Sequence, residues 1–218
     1  MRPLTTTSHA ILGLLAIRPW STYELAKQMR RTMAYVWPRA ESNLYAEPKR
    51  LAEAGLLDVD TEHTGRRART IYSLTPKGRQ ALDEWLDKPA GPSRFESEAL
   101  LKVLFGNYAS KDTLLRHLRS IADEAHAQQD MVRNLVDEYT AGRMPFPERL
   151  HVNTLILRFY YDQAASTNRW AHDAVEQVKH WPTLEQPTEP DALMAQLREH
   201  VDRDSPAPGQ AASHGPSR

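Results

Sequence analysis

RAESNLYAEPKRLAEAGLLDVDTEHTGRRARTIYSL, residues 39–74, is the stretch that decides the fold. In its first half Leu44, Leu51 and Ala54 lie at helical spacing, and Gly55 supplies the left-handed conformation that commonly ends a helix. The stretch therefore predicts a helix that ends at Gly55. The outward face of this helix carries polar and basic side chains: Arg39, Ser42, Asn43, Tyr45, Lys49 and Arg50.

A β-hairpin is predicted directly after this helix. Leu56–Thr61 and Thr70–Leu74 are rich in β-forming residues, and His63–Arg69 between them contains one glycine and three arginines. The second half of the stretch therefore predicts two strands joined by a basic tip. A helix with a polar face beside such a hairpin is suited to lie against a charged duplex.

Pro48 is the unusual residue of the predicted helix. Within a helix a proline removes one backbone hydrogen bond and crowds the carbonyl four residues earlier, here that of Leu44. We therefore expect a kink or a loosened turn. The proline ring continues the apolar row from Leu44 to Leu51, so we expect it to pack inward.

Three further helices surround this stretch. Ser21 or Thr22 can cap the start of the second helix, and Thr75 followed by Pro76 marks the start of the fourth. The predicted buried residues are Ala10, Ile11, Leu14, Leu15 and Ile17 in the first helix, which Pro19 ends; Leu25, Ala26, Met29 and Met33 in the second; and Ala81, Leu82, Trp85 and Leu86 in the fourth. This order of helices and hairpin is that of a winged helix-turn-helix.

Composition limits the class of protein. The chain has 218 residues, 40% of them hydrophobic, and no cysteine. Disulfides, thiolate metal sites and a cysteine nucleophile are thus excluded, and a soluble protein of the reducing cytoplasm is expected. Residues 1–88 contain 14 Lys and Arg against 10 Asp and Glu, and the remainder contains 14 against 18. A net +4 followed by a net −4 indicates that only the first half meets phosphate.

The second half predicts two long helices. Residues 87–93, DKPAGPS, mark a domain boundary, and Glu96–Tyr108 follows as a short amphipathic helix. A heptad-like seam then begins after Ser110: Leu114, Leu118, Ile121, Ala125, Gln128, Val132, Leu135 and Tyr139. Gly142 and the Pro145–Pro147 corner end that helix, and a second helix runs from about Glu148 towards Trp181. Its apolar row comprises Val152, Ile156, Phe159, Trp170, Ala174, Val178 and Trp181.

A pair of helices with one seam each leaves apolar surface uncovered, so we expect it to pack against a second copy of the chain. An intramolecular bundle with the first helix is the alternative. Asp191–Arg203 predicts one more short helix, and the last residues have little to bury and are expected to be disordered.

No motif indicates catalysis. Phosphate loops, nucleophile elbows and zinc-hydrolase histidine pairs do not occur in the sequence. His172, Glu176 and His180 lie at four-residue steps, but such spacing is common in charged helices. We therefore expect no enzyme activity, no metal site and no cofactor.

The sequence resembles the PadR-type transcriptional regulators. The resemblance lies in STYELAKQM at 21–29, NLYAEPKRLAEAGLL at 43–57, the basic hairpin, and YSLTPKGRQAL at 72–82. It covers about the first 88 residues, and the helical remainder looks like the family's dimerisation region. The resemblance implies a winged helix-turn-helix domain, a homodimer and a repressor. It places the family's helix-two tyrosine on Tyr23, as a phosphate contact, and its helix-three tyrosine on Tyr45.

Residue chemistry indicates further DNA contacts. Asn43 can pair with adenine and Ser42 with a base or a phosphate, although a helix-start Asn can equally be a local cap. The arginines of the hairpin could be a solvated tip, and Tyr45 could seal its helix against the core. The expected DNA-binding set is Tyr23, Arg39, Ser42, Asn43, Tyr45, Lys49, Arg66, Arg67 and Arg69.

Aromatic residues of the second half predict a possible effector site. Flat apolar ligands bind between helices against such side chains, although packing in a dimer core accounts for them equally well. The candidates are Phe105, Phe159, Tyr160, Tyr161 and Trp170.

The predicted domains are a winged helix-turn-helix at 1–88, a helical dimerisation and effector domain at 94–182, a helical extension at 183–203 and a tail at 204–218. The predicted function is that of a homodimeric repressor that binds a palindromic site on double-stranded DNA, released by a small aromatic or hydrophobic effector. The alternative is a helical protein-interaction adaptor whose winged helix binds protein.

Overall fold

The structure is a computed structural model that describes residues 3–32, 45–64, 67–93, 95–184 and 190–204, with the backbone alone at 31, 32, 63, 64, 67 and 204. The chain divides into two compact units, Met1–Ser93 and Arg94–Arg218. The division falls at the end of the proline-containing segment 87–93.

The first unit has the order of a winged helix-turn-helix, as predicted. Its elements are α1 (Thr6–Leu15), β1 (Trp20–Ser21), α2 (Thr22–Thr32), α3 (Ala46–Glu53), β2 (Leu57–Thr64), β3 (Arg67–Leu74) and α4 (Pro76–Leu86). Local capping explains the starts of three helices. The side chains of Thr5, Ser21 and Thr75 accept hydrogen bonds from the amides of Ser8, Glu24 and Gly78, respectively.

The core of the first unit is formed by apolar side chains from α1, α2, α3 and the sheet. Helical spacing predicted all of the residues named next except Leu12, whereas four other predicted residues are only partly buried: Ala10, Ile17, Ala54 and Ala81. Ile11, Leu12, Leu25, Met29 and Leu51 are fully or almost fully buried. Met33, predicted as the last core residue of α2, lies outside the described residues.

The sheet has three strands rather than the predicted two. β1 pairs antiparallel with β3 through Trp20 and Ser21, opposite Tyr72 and Ile71. A strand of two residues has no periodicity, so its sequence carries no strand signal. The Trp20 side chain is buried and its ring nitrogen donates to the Leu14 carbonyl, at 2.9 Å, which anchors the strand to α1.

The hairpin strands are longer than predicted. β2 and β3 pair without a break from Leu57 opposite Leu74 to Thr64 opposite Arg67. Arg69, which we expected in the tip, lies in β3 opposite Glu62. The cross-strand pairing extends the strands through polar residues that have little strand preference of their own, because tertiary pairing outweighs local propensity.

Pro48 lies in the first turn of α3. The helix begins at Ala46, so Pro48 is its third residue and lies among the first four, whose amides have no acceptor within the helix. The turn before it, with Leu44, lies outside the described residues, so the expectation of a loosened turn stays a prediction. The Pro48 ring is buried, which confirms the predicted inward packing.

Gly55 ends α3 as predicted. Its φ of +71° is left-handed, and the amides of Gly55 and Leu56 bond the carbonyls of Ala52 and Leu51, both at 2.9 Å. This is a Schellman motif, in which a left-handed residue turns the chain while the last helical carbonyls keep their partners. The turn sends the chain directly into β2.

The first turn of α4 packs on the backbone that follows α3. A methyl group at Gly78 would lie 2.2 Å from the Leu56 carbonyl oxygen. Glycine is therefore required here for close approach. The opposite end of α4 differs from expectation, because Leu82 is buried but Trp85 and Leu86 are exposed. Trp85 instead stacks on the His9 ring of α1, with centroids 4.9 Å apart.

The second unit is helical. Its elements are α5 (Glu98–Leu104), α6 (Lys111–Thr140), α7 (Leu150–His180) and α8 (Pro190–Asp204), with short 3-10 turns at Gly106–Tyr108 and Pro147–Arg149. Ser110 caps α6, since its hydroxyl accepts from the Thr113 amide at 3.2 Å. Gly142, at φ +76°, ends α6 as predicted.

The buried stripe of α6 follows the predicted seam with one correction. Leu114, Leu118, Ile121, Ala125 and Val132 are buried, whereas Gln128 is exposed and Gln129 is buried in its place. Ala122, Ala125, Gln129 and Val132 are spaced by three, four and three residues, which is the spacing of one helix face, so Gln129 continues the buried stripe and Gln128 lies beside it.

The apolar row predicted for α7 is mostly exposed within one chain. The buried residues of α7 form the side that packs against α6: Ala164, Ala171, Val175 and Val178. Only Val178 belongs to the predicted row. The predicted members Val152, Ile156, Phe159, Trp170 and Trp181 are all exposed. Small residues, which contribute little to a hydrophobicity pattern, thus form the helix contact, and the larger ones lie outside it.

None of the helices in the described part of the chain combines the length and the apolar character that a bilayer crossing requires.

The close approach at Gly78 gives a test of this packing. We expect Gly78→Ala to lower the free energy of unfolding by about 1–3 kcal/mol or more, because the added methyl group would overlap a backbone oxygen that cannot move aside. The matched control is Gly13→Ala in α1, where an added methyl group meets nothing within 4 Å. This variant should be neutral or more stable by roughly 0.5–1 kcal/mol. Urea unfolding curves measure both; equal effects would contradict the packing.

Candidate nucleic-acid interface

Two tyrosines project from the helix-turn-helix. Tyr23 lies in the first turn of α2 and is 65% exposed, and Tyr45 immediately precedes α3 and is 58% exposed. This exposure is inconsistent with the alternative in which Tyr45 seals its helix against the core. Both phenol groups are thus available to a ligand.

Some of the remaining predicted DNA contacts lie among the described residues and others do not. Lys49 is exposed on α3. Arg39, Ser42, Asn43 and Arg66 lie outside the described residues, as does the side chain of Arg67. Their roles remain predictions from the sequence.

Arg50, predicted on the outward face of α3, is instead half-buried and bonded to other residues of the first unit. Its guanidinium donates to both carboxylate oxygens of Glu47, with Nε 2.9 Å from Oε2, and to the Ser8 hydroxyl of α1 at 3.1 Å. Ser8 also donates to Glu47 and is fully buried. The hydrogen bond to Glu47 raises the pKa of Arg50 further above its usual value. Arg50 therefore fixes the first turns of α3 to α1.

Arg69 is also engaged within the protein. Its Nη2 atom lies 3.1 Å from the Ser21 hydroxyl and 3.3 Å from Glu24 Oε2. These contacts join β3 to the first turn of α2. The guanidinium therefore retains only part of its donors for a ligand.

Glu24 is the centre of this cluster, which we call the α2–wing cluster: Arg18, Ser21, Glu24 and Arg69. The carboxylate accepts from the Ser21 hydroxyl at 2.6 Å and the Ser21 amide at 3.0 Å, and Arg18 lies 3.7 Å away. The Ser21 hydrogen bonds, followed by the charges of Arg18 and Arg69, lower the pKa of Glu24 from its ordinary value of 4.5. The cluster fixes the start of α2 on the sheet.

Two exposed cations of α2 were not among the DNA contacts predicted from the sequence. Lys27 and Arg30 are exposed on the same helix as Tyr23. The sequence contained a pattern that could have identified them, since positions 23, 27 and 30 have the four- and three-residue spacing of one helix face.

The effector candidates of the second unit do not surround one common groove. Phe159 and Tyr160 are adjacent on α7 with their rings edge to face, 5.9 Å apart. The Tyr161 hydroxyl accepts from Arg133 at 3.0 Å, and Trp170 is exposed further along the helix.

Two grooves in the described part of this unit are lined mainly by other residues. One of about 300 Å³ lies between α5 and α6 and is lined by Phe105, Tyr108 and His117, among others. Another of about 230 Å³ is lined by residues that include Leu118, Val178 and Trp181. Phe105 is thus the one effector candidate that lines either groove.

The first unit defines a winged helix-turn-helix of the type found in transcriptional regulators. Residues 11–84 match the sequence model of the Transcriptional regulator PadR-like family. Residues 11–84 therefore have the sequence pattern of this family, as the resemblance implied.

Two curated regulators are similar in sequence. The Negative transcriptional regulator PadR of Bacillus subtilis is 30% identical over 99 residues, which is 44% of this chain and 54% of that protein. A probable transcriptional regulator of Mycobacterium tuberculosis is 30% identical over 88 residues, 39% of this chain and 46% of that protein. The chain thus spans about half the length of the curated relatives it matches.

Solved structures show that the fold is shared beyond this segment. Bacillus subtilis PadR in complex with operator DNA superposes with a TM-score of 0.70 at 20% identity, covering 80% of this chain and 99% of that chain. The same regulator in complex with p-coumaric acid gives a TM-score of 0.65 at 21% identity, covering 81% and 100%. The Vibrio cholerae virulence activator AphA gives 0.61 at 22% identity, covering 80% and 98%.

The α2–wing cluster predicts an acid dependence of stability. Because folding lowers the pKa of Glu24, its contribution to stability is complete above about pH 4.5 and is lost as the pH falls through the lower folded value. Wild-type protein should therefore lose stability more steeply below pH 4.5 than Glu24→Gln, which has no charge to lose.

Thermal unfolding between pH 7 and pH 3 measures this difference. Glu53→Gln is the control, because Glu53 is exposed on α3. Parallel curves for wild type and Glu24→Gln would contradict the role of the cluster.

Proposed function

We propose that the protein is a homodimeric, sequence-specific DNA-binding transcriptional repressor. The observation that carries the proposal is the match of residues 11–84 to the PadR-like family, on a winged helix-turn-helix that exposes Tyr23, Tyr45 and Lys49. The negative regulation attributed to Bacillus subtilis PadR supports repression. Its structure with operator DNA supports a duplex as the partner.

The proposed contacts divide into base readers and phosphate contacts. Asn43 reads a base edge, Ser42 bonds to a base or a phosphate, and Tyr45 stands at the start of the recognition helix α3. Phosphates are met by Tyr23 and by basic residues of α3 and the wing: Arg39, Lys49, Arg66, Arg67 and Arg69. Because Arg69 already contacts Ser21 and Glu24, it contributes less to phosphate binding than the other basic residues.

Dimerisation is proposed through the second unit. Large apolar side chains of α7, including Leu155, Ile156 and Phe159, are exposed in the single chain. A contiguous apolar surface of this kind is typical of a protein–protein interface. A second copy would cover it, and two winged helices held about 34 Å apart could then occupy the two halves of a palindrome.

An effector is proposed for the same unit. Bacillus subtilis PadR has been solved with p-coumaric acid, which supports a small aromatic ligand here. Phe105, Phe159, Tyr160, Tyr161 and Trp170 are the candidates. Because they do not surround one groove within a single chain, a shared pocket would need the second copy. Binding that favours one separation of the two winged helices would release the DNA. A regulator of this kind would act in the cytoplasm.

Selection of bound sequences from random duplex DNA, with the purified full chain, tests the function. We expect a palindromic consensus whose half-sites are separated by about one helical turn, or 10 base pairs. Failure to enrich any sequence would contradict the proposal and favour the alternative, an adaptor whose winged helix binds protein. A promoter carrying the selected site, placed before a reporter, should be less active when the protein is present. Increased activity would contradict repression.

The dimer is tested by a charge on the exposed face of α7. Ile156→Glu should convert a dimer into a monomer in sedimentation at micromolar concentration, because the interface would bury an unpaired charge. The side chain is exposed within one chain, so the helical content should not change. Arg119→Gln, which changes the net charge equally at an exposed position of α6, is the control and should remain dimeric. A monomeric wild type would exclude this interface.

A further inference from the structure

Helix α2 has two distinct sides. Leu25, Ala26 and Met29 are buried in the core. Tyr23, Lys27 and Arg30 are exposed and lie four and three residues apart, which places them on one face of the helix. We call these three residues the α2 face.

Most of the other cations of the first unit whose side chains the structure describes have internal partners. The pairs are Arg18 with Glu24 and the Pro19 carbonyl, Arg50 with Glu47 and Ser8, Arg69 with Glu24 and Ser21, Lys77 with the Ala54 carbonyl, and Arg79 with the Ala16 carbonyl. Each of these groups stabilises the fold where it lies. Removal of any one would change both the structure and the charge.

Lys27 and Arg30 differ from these cations. Neither forms a hydrogen bond or an ion pair with a side chain in the described part of the chain. The nearest acidic residue along α2, Glu24, is already bonded to Ser21 and paired with Arg18 and Arg69. The positive charge of the α2 face is therefore not neutralised by that carboxylate.

We propose that the α2 face contacts the phosphate backbone of the bound duplex, with Lys27 and Arg30 each neutralising one phosphate beside the hydroxyl of Tyr23. This deepens the proposed function and rests on it. Two cations and a phenol hydroxyl on one helix face match a strand of regularly spaced phosphates, and such contacts set the register of the protein without reading the sequence. The alternative is that Lys27 and Arg30 only stabilise the carboxyl end of α2 through the helix dipole.

The salt dependence of binding separates these possibilities. For each phosphate neutralised, the plot of log affinity against log salt steepens by about 0.9. In the proposed homodimer the double variant Lys27→Gln/Arg30→Gln removes two such contacts from each protomer, so its slope should be shallower by about 3.6 than that of the wild type. Its affinity should fall by a similar factor for the selected palindrome and for an unrelated duplex. Fluorescence anisotropy with the full chain at several salt concentrations measures both quantities.

Two further variants control for charge and for folding. Lys88→Gln/Arg119→Gln removes the same charge from exposed positions off α2 and should keep the wild-type slope. Lys27→Arg/Arg30→Lys keeps the charge and should also keep it. A thermal melt of each variant shows whether the fold is retained.

The proposal is overturned if the folded Lys27→Gln/Arg30→Gln variant binds DNA with an unchanged slope, or if the Lys88→Gln/Arg119→Gln control shows the same decrease. Either result leaves the proposed function intact, because DNA binding itself is still observed. Absence of binding by the wild type to every duplex would instead reject the proposed function, and this inference with it.

Discussion

The attachment of α3 to the hairpin and to α4 is the constraint on which the first unit depends. The carbonyls of the three residues that follow α3 accept hydrogen bonds from residues at the start of α4. Thr75 donates from its hydroxyl to the Gly55 carbonyl at 3.0 Å and from its amide to the Leu56 carbonyl at 3.2 Å. Lys77 donates to the Ala54 carbonyl at 2.8 Å. Gly55 and Gly78 permit this approach, the first by its left-handed conformation and the second by its missing side chain. α3, the hairpin and α4 are thereby joined at one point, so that a helix placed in a groove would also determine the position of the wing.

In the second unit, side-chain to backbone hydrogen bonds join α6 to α7. Lys111 at the start of α6 donates to the carbonyls of Lys179 and Trp181 at the end of α7, at 2.8 and 2.6 Å. Asn168 donates to the Ala122 carbonyl, at 2.9 Å, midway along the pair. Buried alanines between the helices allow close packing but contribute little apolar area. The polar contacts therefore help to determine the register of α6 and α7, while the larger apolar side chains remain available for a partner.

The parts of the fold that follow from local rules could be predicted from the sequence. Helix caps at Ser21, Thr75 and Ser110 and helix ends at Gly55 and Gly142 depend on residues close in the chain. What could not be predicted depends on distant partners or on geometry. Arg50 and Arg69 appear to be surface cations in the sequence, but their partners Ser8 and Ser21 lie 42 and 48 positions away. The burial of Gln129 rather than Gln128 follows from the helical period over many turns. The candidate DNA site was predicted through residue types, and only the fold distinguishes cations with internal partners from Lys27, Arg30 and Lys49.

Hydroxyl-radical footprinting of the full chain on its selected duplex tests the central claim most directly, namely that paired winged helices grip one double strand. The account predicts two protected patches on each strand, related by a dyad and separated by about one helical turn. A single protected patch without symmetry, or no protection at protein concentrations that saturate binding, would contradict it.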